Sequence, residues 1–123
     1  MKIFIIEDEK PLLEALRDKF TREGYEVASV EEGSAAVARA TAEKPDLIIL
    51  DLILPGKHGL EVLKEMKEDA DLKATPVIVL SNLDTDADIK EALRLGAADY
   101  FVKAQHPIAE VVEKVKTALL KPR

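Results

Sequence analysis

The sequence predicts an α/β fold in which one parallel sheet lies between two layers of helices. Two observations carry this expectation. Short apolar runs at residues 3–6, 25–30, 47–50, 77–80 and 100–102 alternate with stretches whose apolar residues recur at helical spacing. Five such βα units imply right-handed crossovers and a three-layer sandwich. Polar residues also stand where the apolar runs end, and in sheets of this kind ligands sit outside the carboxyl ends of the strands.

Each unit is legible in turn. The first run leads into a helix with Leu12, Leu13, Leu16 and Phe20 on one side. Pro11 falls in its first turn, where a missing N–H is tolerated, and Gly24 falls just past its end. The second run is followed by the alanine-rich segment 34–44, which supplies the second helix. The third run, Leu47 to Leu50, is apolar on both faces and therefore fully buried. Pro55-Gly56 makes a turn, and Leu60, Leu63 and Met66 mark the third helix. Ile89, Ala92 and Leu93 mark the fourth, closed by Gly96. Pro107 opens the last helix, whose stripe is Ile108, Val111, Val112, Val115 and Leu119.

Composition excludes several functions. A chain of 123 residues fits one domain, and 47% apolar with 34% charged residues describes a globular protein. Aromatics are only 4%, so the core must be built from Leu, Ile, Val and Ala. The absence of cysteine removes disulfides, thiolate metal sites and cysteine nucleophiles together. A formal net charge of −6 argues against a large nucleic-acid footprint. The apolar start of the chain is too short for a signal peptide and no run is long enough to span a membrane, so the default location is cytoplasmic. No repeat or linker interrupts the chain, and the expectation is a single domain over 1–123 with no output domain.

The strand ends carry the chemistry. Glu7, Asp8 and Glu9 follow the first run, Asp51 the third, Ser81 and Asn82 the fourth, and Lys103 the fifth. Taken singly, the acids of 7–9 suit a helix N-terminus, Ser81 suits a turn, and Lys103 suits an exposed surface. Asp51 is different, because Leu52, Ile53 and Leu54 follow it instead of a polar loop. A carboxylate within a buried run costs free energy without a partner or a task. Two or three carboxylates held together raise at least one pKa, and a hard divalent cation relieves them. Oxygen-only ligands suit Mg2+ or Mn2+, with positions left for phosphoryl oxygens. Ser81 and Lys103 would donate to those oxygens, and Asp51 is then the natural nucleophile toward phosphorus.

These residues resemble the receiver domain of two-component response regulators. The resemblance rests on IIEDE at 5–9, DLIILDLILPGKHG at 46–59, VIVLSN at 77–82 and GAADYFVKA at 96–104. It implies a flavodoxin-like (βα)5 fold with strand order 2-1-3-4-5. It implies metal binding by Asp8, Asp51 and the Ile53 carbonyl, with Glu7 acting through water. Asp51 would take a phosphoryl group from a phosphohistidine on a sensor kinase or phosphotransfer domain, held by Ser81 and Lys103. Tyr100 matches an aromatic switch that turns inward as Ser81 moves. The output face would include Lys90, Arg94, Tyr100 and parts of 108–120, meeting an effector or a second copy on phosphorylation. Leu12, Ala15 and Leu16, where not buried, and the loop 105–107 are the kinase-facing candidates. The domain would catalyse its own phosphorylation and dephosphorylation without turning over a separate substrate.

The sequence departs from the family pattern in places. Ala104 follows Lys103 where the family has proline. A cis bond before alanine costs about 2.5–4 kcal/mol against about 0.5–1 before proline, which favours a trans bond here. Lys57 and His58 replace an apolar residue and an acid, with His58 a candidate helix cap, and Asn82 replaces a small alanine. Ile53 and Leu83 are apolar where the family positions hydrolytic water, which predicts slow self-dephosphorylation. The competing readings are a flavin module, opposed by the acids at 7–9, a phosphotransferase or nuclease, opposed by Ile53, and a phosphate-independent protein-binding module.

Overall fold

The computed structural model describes residues 1–120. Strands β1 (Lys2–Ile6), β2 (Glu26–Val30), β3 (Leu47–Leu50), β4 (Val77–Ser81) and β5 (Asp99–Val102) form one parallel sheet. Their order is β2-β1-β3-β4-β5. Between them run α1 (Lys10–Arg22), α2 (Ala36–Glu43), α3 (Gly59–Glu68) and α4 (Asp86–Arg94), and α5 (Ile108–Leu120) follows β5. The fold is the flavodoxin-like sandwich expected from the resemblance.

Strand alternation divides the core in two. Phe4, Ile6, Ile48, Leu50, Val77 and Val79 face Ala36 and Ala40 of α2, Val62, Leu63 and Met66 of α3, and Ala92 of α4. Ile3, Ile5, Leu47, Ile49, Ile78 and Leu80 face Leu13, Leu16 and Phe20 of α1 and Val111, Val112 and Val115 of α5. Side chains two apart share a face, so a strand buried on both sides must be apolar at every position. β3 and β4 are buried throughout. The edge strand β2 is less so, with only Val30 fully covered.

Helix ends follow local chemistry. Thr85 caps α4, its hydroxyl accepting from the Asp88 N–H at 3.2 Å. His58 caps α3 in the same way, its Nδ1 accepting from the Leu60 N–H at 3.1 Å. The segment 34–44 is not helical from its start. Gly33–Ala35 form a 3-10 turn that leads into α2. A second such turn, Lys103–Gln105, separates β5 from α5. Among the described residues every peptide bond is trans, including Lys103–Ala104.

Register sets the site. Ile6 lies opposite Leu50, and Leu50 opposite Val79. The Asp51 N–H donates to the Ile6 carbonyl at 3.0 Å, so the residues after β1 and β3 leave the sheet side by side.

Candidate functional site

The carboxyl ends of β1, β3, β4 and β5 meet around a small cavity of about 120 Å³ lined by Asp8, Glu9, Asp51, Ile53, Asn82 and Lys103. Glu7 and Asp51 are buried, each 2% exposed, while Asp8 between them in the cluster is exposed. Ligand oxygens of Glu7, Asp8 and Asp51 all lie within 4.8 Å of one another. Three carboxylates and no nitrogen or sulfur make a donor set suited to a hard divalent cation, so the residues fit the group expected from the sequence.

The lysine after β5 is drawn into this cluster. Lys103 Nζ stands 2.9 Å from Glu7 Oε1, 2.9 Å from Asp51 Oδ2 and 3.0 Å from Glu9 Oε1. Only 9% of its side chain is exposed. The second oxygens of Asp51 and Glu7 accept from the backbone. The Ile53 N–H donates to Asp51 Oδ1 at 3.1 Å, and the Glu9 N–H donates to Glu7 Oε2 at 3.0 Å. Among the described residues no buried side-chain nitrogen or oxygen lacks a hydrogen-bond partner.

Electrostatics follow from this packing. Burial pushes the Glu7 carboxyl up to about 7, opposed by the Glu9 N–H and by Lys103 and reinforced by the Asp51 charge. Burial also works to lower Lys103, but the bonds to Asp51, Glu7 and Glu9 outweigh it and raise the ammonium above its ordinary value. Lys103 is therefore a fixed positive charge beside the carboxylate at the end of β3.

Ser81 is fully buried, and its Oγ accepts from the Leu83 N–H at 3.3 Å. The structure thus brings Glu7, Asp8, Asp51 and Lys103 together and sets Ser81 at the end of the next strand, beneath the loop that carries Asn82. Tyr100 is half-buried, and its hydroxyl donates to the Leu83 carbonyl at 2.6 Å. Burial raises the Tyr100 phenol, with the Asp88 and Asp51 charges acting in the same direction. The tyrosine is thereby tied to the loop that follows Ser81. Ile53 is 52% exposed at the rim.

The sequence model of the response regulator receiver domain matches residues 3–116. The chain belongs to this family. Solved relatives agree over nearly the whole domain. The BeF3-activated N-terminal receiver domain of Klebsiella pneumoniae RstA is 27% identical with a TM-score of 0.89, covering 98% of this chain and 100% of its own. The Mn2+-bound form of the response regulator Rcp1 is 27% identical with a TM-score of 0.83, covering 99% of this chain and 96% of its own. The phosphorylated cyanobacterial phytochrome response regulator RcpA is 34% identical with a TM-score of 0.79, covering 95% of this chain and 89% of its own.

Other residues singled out in the sequence fall outside the cavity of this receiver domain. His58 caps α3, and His106 Nδ1 lies 3.0 Å from Glu110 Oε1 with its ring edge-on to Phe101. Leu16 is fully buried, which removes it from the kinase-facing candidates and leaves Leu12 and Ala15, both part-exposed. Lys90 and Arg94 are exposed, with Arg94 paired to Glu91 along α4. Glu9 stands out for a different reason. The sequence places it beside Glu7 and Asp8 without a task, and its link to Lys103 spans 94 positions, beyond the reach of any local pattern.

Proposed function

We propose that this receiver domain accepts a phosphoryl group on Asp51 and switches a protein partner. The observation that carries this reading is the pairing of a nearly buried Asp51 with Lys103 at 2.9 Å, beside the Glu7 and Asp8 oxygens. An Asp51 oxygen attacks phosphorus, the N–P bond of the donor phosphohistidine breaks, and the imidazole nitrogen leaves with the bonding pair and takes up a proton. The Asp51–phosphorus bond that forms is an acyl phosphate. Asp8, Asp51 and the Ile53 carbonyl would hold Mg2+ or Mn2+, with Glu7 acting through water. Such a cation supplies charge neutralisation for the phosphoryl oxygens. Ser81 and Lys103 donate to the oxygens that remain.

The chain's own residues do the positioning. A rigid buried strand fixes Asp51, which satisfies the geometric demand on a nucleophile. New bonds from Ser81 and Lys103 to the phosphoryl group pull the loops after β4 and β5 toward the site. Tyr100, already bonded to Leu83 in the first of these loops, carries the displacement to the face of α4, β5 and α5. That face would meet a downstream protein or a second copy, while Leu12, Ala15 and the loop 105–107 would meet the kinase or phosphotransfer domain. A cytoplasmic location accompanies this role.

Incubation with magnesium and acetyl phosphate, followed by intact-mass measurement, tests the reading. Wild type should gain one phosphoryl group that is lost with EDTA present, and Asp51→Asn should gain none. If wild type neither gains the group nor binds beryllofluoride, the phosphate-independent binding module replaces this proposal.

A further inference from the structure

We infer that Glu9 is a positioning residue that competes with the phosphoryl group for Lys103, and so sets how tightly and how fast Asp51 is modified. The inference rests on the phosphoacceptor reading above. An ammonium has three N–H donors and no acceptor. Here three carboxylates surround it, those of Glu7, Asp51 and Glu9, at 2.9, 2.9 and 3.0 Å. Two hydrogen bonds, to Asp51 and Glu9, and an ion pair to Glu7 crowd the ammonium, so an incoming phosphoryl oxygen must displace one of them.

The three partners are not equivalent. Asp51 surrenders its hold in the reaction itself, because the oxygen bonded to phosphorus no longer carries the carboxylate charge. Glu7 is buried and held from its other oxygen by the Glu9 N–H. Glu9 is 55% exposed, forms no bond to phosphorus, and lines the mouth of the cavity. With Glu7 it still claims the ammonium after transfer, and it is the exposed one of the two. Its position is maintained by the same residue's backbone, since the Glu9 N–H is anchored on Glu7 while the side chain reaches Lys103. The negative charge at the mouth also acts against an anionic donor, in the same direction.

Wild type, Glu9→Gln and Glu9→Asp would be titrated with beryllofluoride at saturating magnesium, followed by NMR, and their rates of modification by acetyl phosphate compared. Magnesium affinity would be measured separately for each. Glu9→Gln should bind beryllofluoride about two- to fivefold tighter and react faster by a similar factor, the range expected for one exposed ion pair. Its magnesium affinity should stay level or fall, because a nearby carboxylate is lost. A gain for beryllofluoride with no gain for magnesium is what a loosened fold would not produce. Glu9→Asp keeps the charge but withdraws it from Lys103 by one methylene, and should shift the same way as Glu9→Gln.

An unchanged or weakened beryllofluoride affinity in Glu9→Gln overturns the inference and makes Glu9 an aid to Lys103. Wild-type behaviour of Glu9→Asp also overturns it, because charge at the mouth would then suffice without the pair. If wild type binds and the variants do not improve, only this inference fails. If none of the three takes either probe, the phosphoacceptor reading fails and the inference with it.

Discussion

Ionisation of Glu7 should control the pH dependence of stability in the metal-free domain. The side chain is 2% exposed, and its carboxyl is raised from 4.5 to about 7, chiefly by desolvation. An acid whose pKa is higher folded than unfolded binds more protons in the folded state between those two values. Stability is therefore fully present below the unfolded value and is lost as pH rises through about 7. The interval corresponds to ~3 kcal/mol, a large part of the stability of an ordinary domain. Glu7→Gln keeps the shape and an oxygen to accept the Glu9 N–H, but removes the titrating proton. Urea unfolding followed by circular dichroism in EDTA, at about pH 5 and about pH 8, compares the two proteins while other titrating groups cancel. The advantage of Glu7→Gln over wild type should grow by about 2–3 kcal/mol from the lower pH to the higher. Magnesium should narrow the gap at the higher pH, since a bound cation stabilises the ionised cluster. Parallel behaviour at both pH values would refute the reasoning, and a growing deficit in Glu7→Gln would show that the Lys103 pair outweighs desolvation.

Two further outcomes follow from the surroundings of Asp51. Ile53 at the rim and half-buried Leu83 present no group that orients water, so Ile53→Asn with Leu83→Glu should shorten the lifetime of the phosphorylated state by about tenfold, ~1.4 kcal/mol. Loss of the added mass after donor removal measures this, and an unchanged or longer lifetime counts against the reading. A Cβ on Gly59 would stand 2.3 Å from Leu52 Cα and 2.6 Å from the Asp51 carbonyl oxygen, both backbone atoms. Gly59→Ala should cost about 1–3 kcal/mol in urea unfolding and slow acceptance from acetyl phosphate by displacing the end of β3. Wild-type stability and rate together would show that the backbone there gives way freely.

Much of this molecule is written in local sequence. Leu47 to Leu50 are apolar at every position, as a strand covered on both faces requires, and the stripe from Ile108 to Leu119 fits a helix with one buried side. Parallel strands with helical crossovers place all carboxyl ends on one edge, so Glu7, Asp8, Asp51, Ser81 and Lys103 are legible as neighbours from chain direction alone. Strand order is not local, and it came from resemblance to a family instead of from the residue pattern.

What the tertiary structure alone decided is how those neighbours divide the work. Glu7 and Asp8 are adjacent in sequence, yet one is buried and raised to about 7 while the other is exposed. Leu16, a possible contact only if exposed, packs from α1 into the core against the sheet and α5. Glu9 and Lys103 meet across 94 positions because the parallel strands β1 and β5 end on the same edge of one sheet, where both side chains line one cavity. Periodicity is a property of a few consecutive residues and survives in the sequence. Distances between loops depend on register and packing across the whole sheet, and no short stretch of chain contains them.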